Sequence, residues 1–411
     1  MKILIVTQYF WPENFRINDL VAALVERGHK VTILTGKPNY PAGSFFSGYG
    51  YFSKSREPCQ GAQIKRVPVL PRGNGTSLRL ALNYASFVFF GLVLGPFYCR
   101  DRYDLIFVYQ PSPVTSVLPA ILLKKIKKVP LQLNILDLWP ETLVATGAVR
   151  SRLVLGMVEK LTSLIYRHCD QILVQSKGYI EPLIEKGVAA SRIEYFPTSA
   201  EDLFKNPGKG SAAQTLPVLP SGFRVVFAGN VGDAQDFETI LSAAELTRSK
   251  PDIHWIVVGD GRRLDWVRTE IEKRELRQVH LLGRFPLEDM PFFFHEADVL
   301  LVTLRKDPVF AMTIPGKVQS YLASGKAIVA AIDGEAARII SEAGAGAAVP
   351  AGDPERLARA VLELHKLTES ERSQMGARGK EYFEQHFDRE KLLKKLVGWM
   401  EKLVAGDSET T

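Results

Sequence analysis

One stretch, Arg305–Ala331, combines cations with a predicted helix start and is suited to bind an anion. It predicts a loop, a helix and a strand, with Thr313 as N-cap and Pro315 in the first turn, where proline loses no hydrogen bond. The helix start would present free N–H groups beside Lys317. That combination suits a phosphate or diphosphate. An ordinary capped helix with solvated lysines explains the same residues, so this stretch alone leaves both interpretations open.

Two further loops of the second half carry glycines of the kind found at phosphate sites. The predicted strand Arg224–Ala228 leads into G-N-V-G-D-A-Q-D, and His254–Val258 leads into G-D-G-R-R. Either motif alone is a weak signal. Because the carboxyl ends of parallel strands meet at one edge of a sheet, these loops and the helix start together indicate one nucleotide or diphosphate site.

The first half places carboxylates after predicted strands. Asp137 and Glu141 follow the predicted strand Leu131–Ile135. Either carboxylate could activate or orient a hydroxyl, or it could cap the next helix. Three more candidates follow the first strand: Glu13, Asn14 and Arg16. The alternative for these three is a surface loop pinned by its aromatic neighbours.

Strands and helices alternate through both halves, which predicts two α/β domains, each a doubly wound parallel sheet. We interpret residues 36–76 as a long irregular excursion and a functional flap. The chain should close with helices at Pro354–Leu367 and Glu371–Leu403, the second broken near Gly376 and Gly379. The predicted boundaries are 1–199 for the first domain, 200–221 for a linker, 222–378 for the second domain, 379–403 for a terminal helix and 404–411 for a tail.

The composition favours an anionic partner and a reducing compartment. The net charge of +7 suits a nucleotide, a lipid phosphate, a membrane surface or a nucleic acid. The three cysteines show no paired spacing, which argues against a disulfide framework or a zinc site. The start, M-K-I-L-I-V-T, is too short an apolar run for a signal peptide and predicts a first strand.

Leu78–Tyr98 is the most hydrophobic segment and is about long enough to span a bilayer. Arg79 and Asn83 interrupt one end, and two glycines and a proline weaken the other, so a buried or membrane-dipping helix is favoured over a span. A basic cluster, Lys124–Lys128, follows an apolar helix and could dock onto anionic lipid. The same lysines would also favour the C-terminal end of an ordinary solvated helix.

Roughly residues 1–400 resemble the retaining nucleotide-sugar glycosyltransferases of the GT-B fold, family 4. The matching motifs are Y-F-W-P-E, G-H-K-V-T-I-L-T, D-L-W-P-E-T, F-A-G-N-V-G-D-A-Q-D, V-V-G-D-G, E-A-D-V-L-L-V and T-I-P-G-K-V-Q-S-Y-L-A-S-G-K-A-I-V-A. D-L-W-P-E together with T-I-P-x-K-x-Q-S-Y-L is similar to the subgroup that builds O-antigen, capsule and colanic-acid-type polysaccharides. Within it, the motifs are most similar to the WbuB-like aminosugar (fucosamine) transferases.

The resemblance implies two Rossmann-like domains that face each other across a cleft, with the last helix crossing back to the first domain. It implies a nucleotide-sugar donor with UDP as its nucleotide, retention of anomeric configuration and no metal or further cofactor. The donor diphosphate would lie at the start of the helix in the second domain, and the acceptor in the first domain. The partners would be a lipid-linked (polyprenyl diphosphate) saccharide and the inner face of the cytoplasmic membrane, with no nucleic acid.

The chain departs from the family's pattern at several positions. Asn230 and Gln235 stand where the family often has Arg and Lys, and the family's paired glutamates fall on Met312 and Ser320. The frequent first-domain histidine is absent and Asp137 lies beside its place, so we assign no catalytic histidine. Positive charge would then come from Arg305, Lys306 or Lys317, and ribose recognition from Gln319 or Ser320. The full donor set predicted is Gly229, Asn230, Gln235, Gly259, Arg262, Arg284, Arg305, Lys306, Thr313, Ile314, Pro315, Lys317, Gln319 and Ser320.

Two other functions remain open at this point. A nucleotide-sugar epimerase could use the same architecture, although it would need acid and base side chains around the sugar. A non-catalytic, membrane-associated scaffold would explain the missing glutamates and would bind no nucleotide.

Overall fold

The computed structural model describes residues 1–145, 147, 149, 151–205 and 216–408. The chain divides into two compact units. The first comprises Met1–Gln175, Tyr179–Phe196 and Leu393–Thr411, and the second comprises Ser176–Gly178 and Pro197–Leu392. Residues 206–215 of the predicted linker and 409–411 of the predicted tail lie outside the described residues.

The first unit contains an eight-stranded sheet in the order β3-β4-β2-β1-β5-β6-β7-β8, parallel except for β3. Its strands are β1 (Lys2–Val6), β2 (Lys30–Gly36), β3 (Arg56–Cys59), β4 (Ala62–Val67), β5 (Leu105–Gln110), β6 (Leu131–Ile135), β7 (Gln171–Val174) and β8 (Ile193–Tyr195). Its helices are α1 (Ile17–Glu26), α2 (Ser77–Tyr98), α3 (Leu118–Lys127), α4 (Glu141–Ala145), α5 (Arg152–Arg167) and α6 (Ile180–Glu185). The central strands β5 and β6 are buried along their whole length, because helices cover both faces of a parallel sheet.

The second unit contains a parallel six-stranded sheet in the order β11-β10-β9-β12-β13-β14. Its strands are β9 (Phe223–Ala228), β10 (Ile253–Val258), β11 (Val279–Gly283), β12 (Val299–Thr303), β13 (Ala327–Ala331) and β14 (Gly346–Val349). Its helices are α7 (Phe237–Leu246), α8 (Leu264–Lys273), α9 (Met290–Glu296), α10 (Pro308–Ala311), α11 (Gly316–Ser324), α12 (Gly334–Glu342), α13 (Pro354–Lys366) and α14 (Glu369–His386). The strand order reverses between β9 and β12, and a ligand crevice is expected at the carboxyl ends of such a pair.

A last helix, α15 (Arg389–Ser408), contributes to the core of the first unit. Its Leu393, Leu396 and Met400 are buried in one cluster with Ile3 of β1 and Val21 of α1. The α14–α15 break comes at Phe387–Asp388, where the Asp388 carboxylate accepts the Lys391 N–H at 3.1 Å.

The predicted helix break near Gly376 and Gly379 is wrong, because α14 runs through both glycines. A Cβ on Gly376 would lie 1.9 Å from the Gly325 carbonyl oxygen, and one on Gly379 would lie 3.0 Å from Ala345 Cβ. These glycines therefore allow the helix to pack closely against its neighbours.

The prediction of an irregular excursion at residues 36–76 is wrong in part, since β3 and β4 lie within it. β4 pairs in parallel with β2, with Ile64 opposite Ile33, and extends the sheet beyond the predicted strands. Ala62, Ile64 and Val67 are buried, so β4 is a genuine core strand despite its Lys65 and Arg66.

Helix α2 packs through its small residues and leaves an apolar face exposed. A Cβ on Gly91 would lie 2.6 Å from Pro119 Cγ, which shows how closely α2 approaches α3. The buried Asn83 accepts a hydrogen bond from Gln8 Nε2 (2.8 Å) and donates to the Leu70 carbonyl (2.6 Å). Within the described residues, α2 is the one helix long and apolar enough to cross a membrane, and only 28% of its most hydrophobic window is buried.

Candidate functional site

The start of α11 lies next to the carboxyl end of β9. Gly325 ends the helix in the left-handed conformation, and β13 follows, as predicted. The predicted N-cap is wrong: Pro315, not Thr313, occupies that position, because its extended backbone (ψ 134°) lies outside the helical region. The Thr313 hydroxyl instead donates to the Val309 carbonyl at 2.9 Å.

The first turn of α11 offers backbone donors. The Pro315 carbonyl accepts the Val318 N–H at 2.9 Å, while no side chain caps the helix. Within the described residues, the N–H groups of Gly316 and Lys317 have no acceptor. Two free amides at the positive end of a helix dipole form an anion site.

Tyr321, which no sequence prediction assigned to the site, anchors α11 to β9. Its hydroxyl accepts the Ala228 N–H at 3.0 Å and lies 3.3 Å from the Ala228 carbonyl oxygen, to which it donates. The signal was available, since a fully buried tyrosine hydroxyl needs a partner. This contact holds the helix start beside the loop that follows β9.

The ammonium group of Lys317 is enclosed beside an aromatic ring. The residue as a whole is partly buried, but its Nζ is enclosed and has no hydrogen-bond acceptor among the residues that the structure describes. The Nζ lies 3.6 Å from the centroid of the Phe227 ring, and a Cβ on Gly229 would come within 3.2 Å of it. Burial lowers the pKa of the Lys317 ammonium to about 7. An enclosed charge without a partner is costly, and an anionic ligand would supply the missing partner.

The predicted glycine loops surround this lysine. Gly229 (φ 142°) and Gly259 (φ 155°) both adopt positive φ values. A Cβ on Gly259 would lie 1.8 Å from the Gly229 carbonyl oxygen, so only glycine permits the close approach of the β9 and β10 ends. These loops bring bare backbone to the site.

The two residues that replace the family's cations contact each other. Asn230 Nδ2 donates to Gln235 Oε1 at 3.3 Å, and the Gly232 N–H donates to the same oxygen at 3.1 Å. The pair therefore shapes the loop after β9 and adds no charge to it.

The other predicted cations follow neighbouring strands on the same edge of the sheet. Arg262 follows β10, Arg284 follows β11, and Arg305 and Lys306 follow β12; all four are exposed. The Arg305 guanidinium lies 5.8 Å from the Phe310 ring centroid. Of the predicted cations, only Lys317 has an enclosed charged group, and these four lie in solvent-exposed segments after the strands.

Gln319 and Ser320 turn back onto their own helix. The Gln319 amide nitrogen, oriented toward carbonyls, donates to Pro315 (3.0 Å) and Gly316 (3.2 Å). The Ser320 hydroxyl donates to the Gly316 carbonyl at 3.3 Å. Ile314 is buried beside them. The polar groups of both side chains are therefore engaged within the helix. Ribose contacts from Gln319 and Ser320 stay a prediction.

In the first unit, Asp137 and Glu141 differ sharply. Asp137 follows β6, is half-buried, and makes no hydrogen bond or ion pair with any described residue. Burial raises the pKa of its carboxyl to about 6. Glu141 begins α4 and forms an ion pair with Lys186. Of the two open interpretations, the unpaired Asp137 suits a hydroxyl-orienting role, and Glu141 a structural role at a helix start.

Glu13 was a predicted acceptor-binding residue. In the structure its carboxylate organises the surrounding loops. Its buried carboxylate accepts the N–H groups of Asn39 (2.8 Å), Tyr40 (2.8 Å) and Phe10 (3.2 Å). Burial raises the pKa of the Glu13 carboxyl to about 7. Two other predicted acceptor residues remain nearer solvent: the exposed Asn14 and the partly buried Arg16 at the start of α1.

Comparison with known families decides the class of protein. Residues 14–198 match the family model "Glycosyl transferase 4-like domain", and residues 222–366 match "Glycosyl transferases group 1". The chain belongs to the glycosyltransferases. The two matched regions contain Asp137 and the α11 site respectively, so both candidate sites lie within glycosyltransferase domains.

Two relatives of this glycosyltransferase are themselves named as glycosyltransferases, and one of the two names includes colanic acid biosynthesis. It is 30% identical over 237 residues to the glycosyltransferase WbjE of Pseudomonas aeruginosa, an alignment covering 56% of this chain and 58% of WbjE. It is 25% identical to WcaI of Escherichia coli, named as a colanic acid biosynthesis glycosyl transferase, over 97% of this chain and 99% of WcaI. HepE of Anabaena, solved in complex with UDP, shares the GT-B fold with a TM-score of 0.67 and 14% identity, over 98% of this chain and 100% of HepE.

Proposed function

We propose that this glycosyltransferase moves a sugar from a nucleotide diphosphate donor, a UDP-sugar, to a lipid-linked saccharide, with retention of anomeric configuration. The observation that carries the donor half is the enclosed, unpartnered Lys317 Nζ beside the free N–H groups of α11. The presence of UDP in the HepE structure supports the same choice of nucleotide.

The donor site stabilises the leaving group. In the reaction the bond between the sugar's anomeric carbon and the diphosphate breaks, and negative charge builds on the diphosphate. Preformed amide donors and an enclosed ammonium stabilise such charge strongly, because they need no reorganisation. Lys317 and the α11 amides would therefore do the work that a metal ion does in other transferases, and the proposed reaction needs none.

The acceptor half rests on Asp137. A carboxylate without a partner can accept a hydrogen bond from the acceptor hydroxyl and orient it for attack. The hydroxyl oxygen forms the new bond to the anomeric carbon as the bond from that carbon to the diphosphate breaks, and the hydroxyl proton passes to the Asp137 carboxylate.

The finer assignment is an N-acetylated amino or deoxy sugar, with fucosamine as the example, in O-antigen, capsule or exopolysaccharide synthesis. It is supported by the D-L-W-P-E and T-I-P-x-K-x-Q-S-Y-L motifs, and the polysaccharide context by the colanic acid biosynthesis in the name of WcaI. We further propose a peripheral location on the inner face of the cytoplasmic membrane. The exposed apolar side chains of α2, with Leu78 71% and Phe89 60% exposed, support that placement.

The experiment that tests the donor site is UDP binding to Lys317→Met, measured by calorimetry and thermal shift. The matched control is Lys250→Ala, which removes an exposed lysine that precedes β10, at the opposite edge of the same sheet. We expect Lys317→Met to weaken UDP binding by about a hundredfold, close to 2.7 kcal/mol, and Lys250→Ala to change it less than about twofold. Equal affinities for all three proteins would refute the assignment.

A nucleotide screen and product analysis address the two other functions. Thermal shift with UDP, GDP, TDP, CMP and NAD should show one preferred diphosphate nucleotide, whereas binding of none would favour the scaffold. Incubation with the UDP-sugar alone should leave the sugar's stereochemistry unchanged. An epimerised sugar in the absence of acceptor would contradict the proposed transfer.

A further inference from the structure

An arginine and three aromatic rings form one group at the carboxyl ends of β1, β2 and β4. Tyr9 follows β1, Tyr40 follows β2 and Arg72 follows β4, and these strands are neighbours in the sheet. The Arg72 guanidinium lies 5.0 Å from the Tyr40 ring centroid and 5.8 Å from that of Tyr9. Phe15 stacks on Tyr9 at 5.2 Å and lies 5.4 Å from Tyr40. We call these four residues the Arg72 cluster.

The guanidinium of Arg72 has hydrogen-bond donors to offer a ligand. The residue is half-buried, yet its side chain makes no hydrogen bond or ion pair with any residue that the structure describes. A guanidinium carries five N–H donors in a planar fork that matches the two oxygens of a carboxylate. Tyr40 is 38% exposed, so a ligand reaches the cluster from solvent. A flat apolar ring beside these donors suits a ligand with both a carboxylate and an apolar face, as a sugar acid has.

A buried hydrogen-bond network holds Tyr40 and Arg72 in place. The Glu13 carboxylate accepts the N–H groups of Tyr40 and Asn39, both at 2.8 Å. The Asn39 side-chain oxygen accepts the Arg72 N–H at 3.1 Å and a longer bond from Asn83 Nδ2 at 3.4 Å. Glu13 and Asn39 are each 2% exposed, and Asn83 is fully buried. A buried network of this kind fixes the two loops that carry the cluster, so the cluster is preorganised for a ligand.

The charge of the cluster favours a carboxylate over a diphosphate. Among the described residues, Arg72 is the one cation that lies against the Tyr9 and Tyr40 rings. A single guanidinium balances one carboxylate. A diphosphate carries at least two negative charges and is normally bound by several cations or by free backbone amides, as at the start of α11.

We infer that the Arg72 cluster binds a uronic acid residue of the acceptor saccharide, with Arg72 pairing its carboxylate and Tyr40 packing on its ring. This inference rests on the proposed transfer to a saccharide and names the chemical class of that saccharide. Asp137 follows β6, two strands beyond β1 in the sheet, so the ends of β1 and β6 are roughly 10 Å apart. The acidic sugar is then a different residue of the acceptor from the one whose hydroxyl Asp137 would orient.

The test compares matched pairs of sugars by saturation-transfer NMR titration with the full-length protein. The pairs are methyl glucuronide with methyl glucoside, and methyl galacturonide with methyl galactoside. Within each pair the sugars differ only at C6, where a carboxylate replaces a hydroxymethyl group. We expect at least one of the acids to bind about tenfold more tightly than its neutral partner.

Variants assign the preference to Arg72. Arg72→Met should abolish it, and Arg72→Lys should keep part of it, because the charge remains without the planar fork. The matched control is Arg102→Met, which removes an exposed arginine that precedes β5, at the opposite edge of the same sheet. It should leave the preference unchanged. Tyr40→Leu should weaken the acid and its neutral partner by a similar factor, since packing on the ring does not depend on charge. Circular dichroism melts check that each variant is folded.

Four results would overturn the inference. They are no binding of any of the four sugars, equal affinity for acid and neutral partner, an equal loss of both with Arg72→Met, and competition by methyl phosphate as strong as by the acid, which would indicate a phosphate site. UDP thermal shift on the wild-type protein separates this inference from the proposed function. No UDP shift with the acid preference intact would refute the donor site alone, and a normal shift without acid preference would refute the assignment of the Arg72 cluster alone.

Discussion

UDP affinity should fall steeply as the pH rises above 7, because the ligand binds the charged form of one buried lysine. In the free protein, burial lowers the pKa of Lys317 to about 7. A bound diphosphate would pair with the ammonium and raise its pKa again toward the ordinary value near 10.5. Below pH 7 the lysine is charged with or without ligand; above it, binding must take up a proton.

The size of the effect follows from these two pKa values. Between pH 7 and pH 9 the charged fraction of the free lysine drops from about one half to about one hundredth, so Kd should rise about fiftyfold, or roughly 2.3 kcal/mol. The ionisation of the terminal phosphate, with a pKa near 6, adds little in this range. Proton uptake per UDP bound should grow from about one half at pH 7 to nearly one at pH 8.5.

Isothermal titration calorimetry at pH 7, 8 and 9, in pairs of buffers with different ionisation enthalpies, measures both Kd and proton uptake. Lys317→Met should bind weakly and lose the pH dependence, while Lys250→Ala should keep it. A flat Kd between pH 7 and pH 9 in the wild-type protein would refute the argument, because it would mean that Lys317 is not titrated by binding.

Three further predictions concern folding and turnover. Asp137→Asn should leave UDP binding unchanged and lower kcat by about a hundredfold, and wild-type kcat should fall as the pH drops through about 6, because burial raises the Asp137 pKa to that value and a protonated carboxyl has no negative charge with which to take up the hydroxyl proton; a normal kcat for Asp137→Asn would contradict the assigned role. Gly259→Ala should lower the free energy of unfolding by about 3 kcal/mol or more, since its Cβ would overlap the Gly229 carbonyl oxygen. A thermal melt should therefore show a markedly lower unfolding temperature. Tyr321→Phe should cost about 1–3 kcal/mol of unfolding free energy in a denaturant titration, because the buried Ala228 N–H loses its acceptor; a loss below about 0.5 kcal/mol would show that water replaces the hydroxyl.

The regular elements of the second unit could be predicted because their signals are local. Gly325 ends α11 and Ala327–Ala331 forms β13 as the pattern indicated, since a left-handed C-terminal residue and a short apolar run depend on few neighbours. β9, β10 and β12 belong to one parallel sheet. The glycine loops and the start of α11 therefore lie at one edge of that sheet, as the predicted strands indicated.

Non-local contacts explain most of the errors. Gly376 and Gly379 resemble helix breakers locally, and only the packing of α14 against Gly325 and Ala345 shows why they are there. β4 carries Lys65 and Arg66, so its pairing with β2 is hidden by charge. Arg66 is fully buried because Glu57 and the Trp11 and Gly36 carbonyls accept its donors, and no local pattern indicates those partners.

The same contrast between local signals and distant contacts applies to the site residues. Lys317 could be proposed from its place on a helix start, but its enclosure depends on Phe227 and Gly229, nearly ninety positions earlier in the chain. Glu13 was proposed as an acceptor ligand because it follows a strand, and only the fold shows that Asn39 and Tyr40 occupy its carboxylate. Position relative to a strand end thus predicts proximity to a site, while the side chain's role depends on partners that are distant in sequence.

The replacement of the family's loop cations changes which residue would supply positive charge to the donor. With Asn230 and Gln235 hydrogen-bonded to each other, the loop after β9 contributes shape and no charge. In the proposed donor site the charge for the diphosphate then comes from Lys317, on the helix whose amides would bind the same group. An exposed arginine would attract the donor at any pH near neutral, whereas an enclosed lysine with a pKa of about 7 couples donor binding to proton uptake. Restoring a loop cation with Gln235→Lys should therefore strengthen UDP binding by a similar factor at pH 7 and at pH 9, since the new charge does not depend on the enclosed group. Calorimetry at both pH values measures the two factors, and a gain confined to one pH would contradict the independence of the two cations.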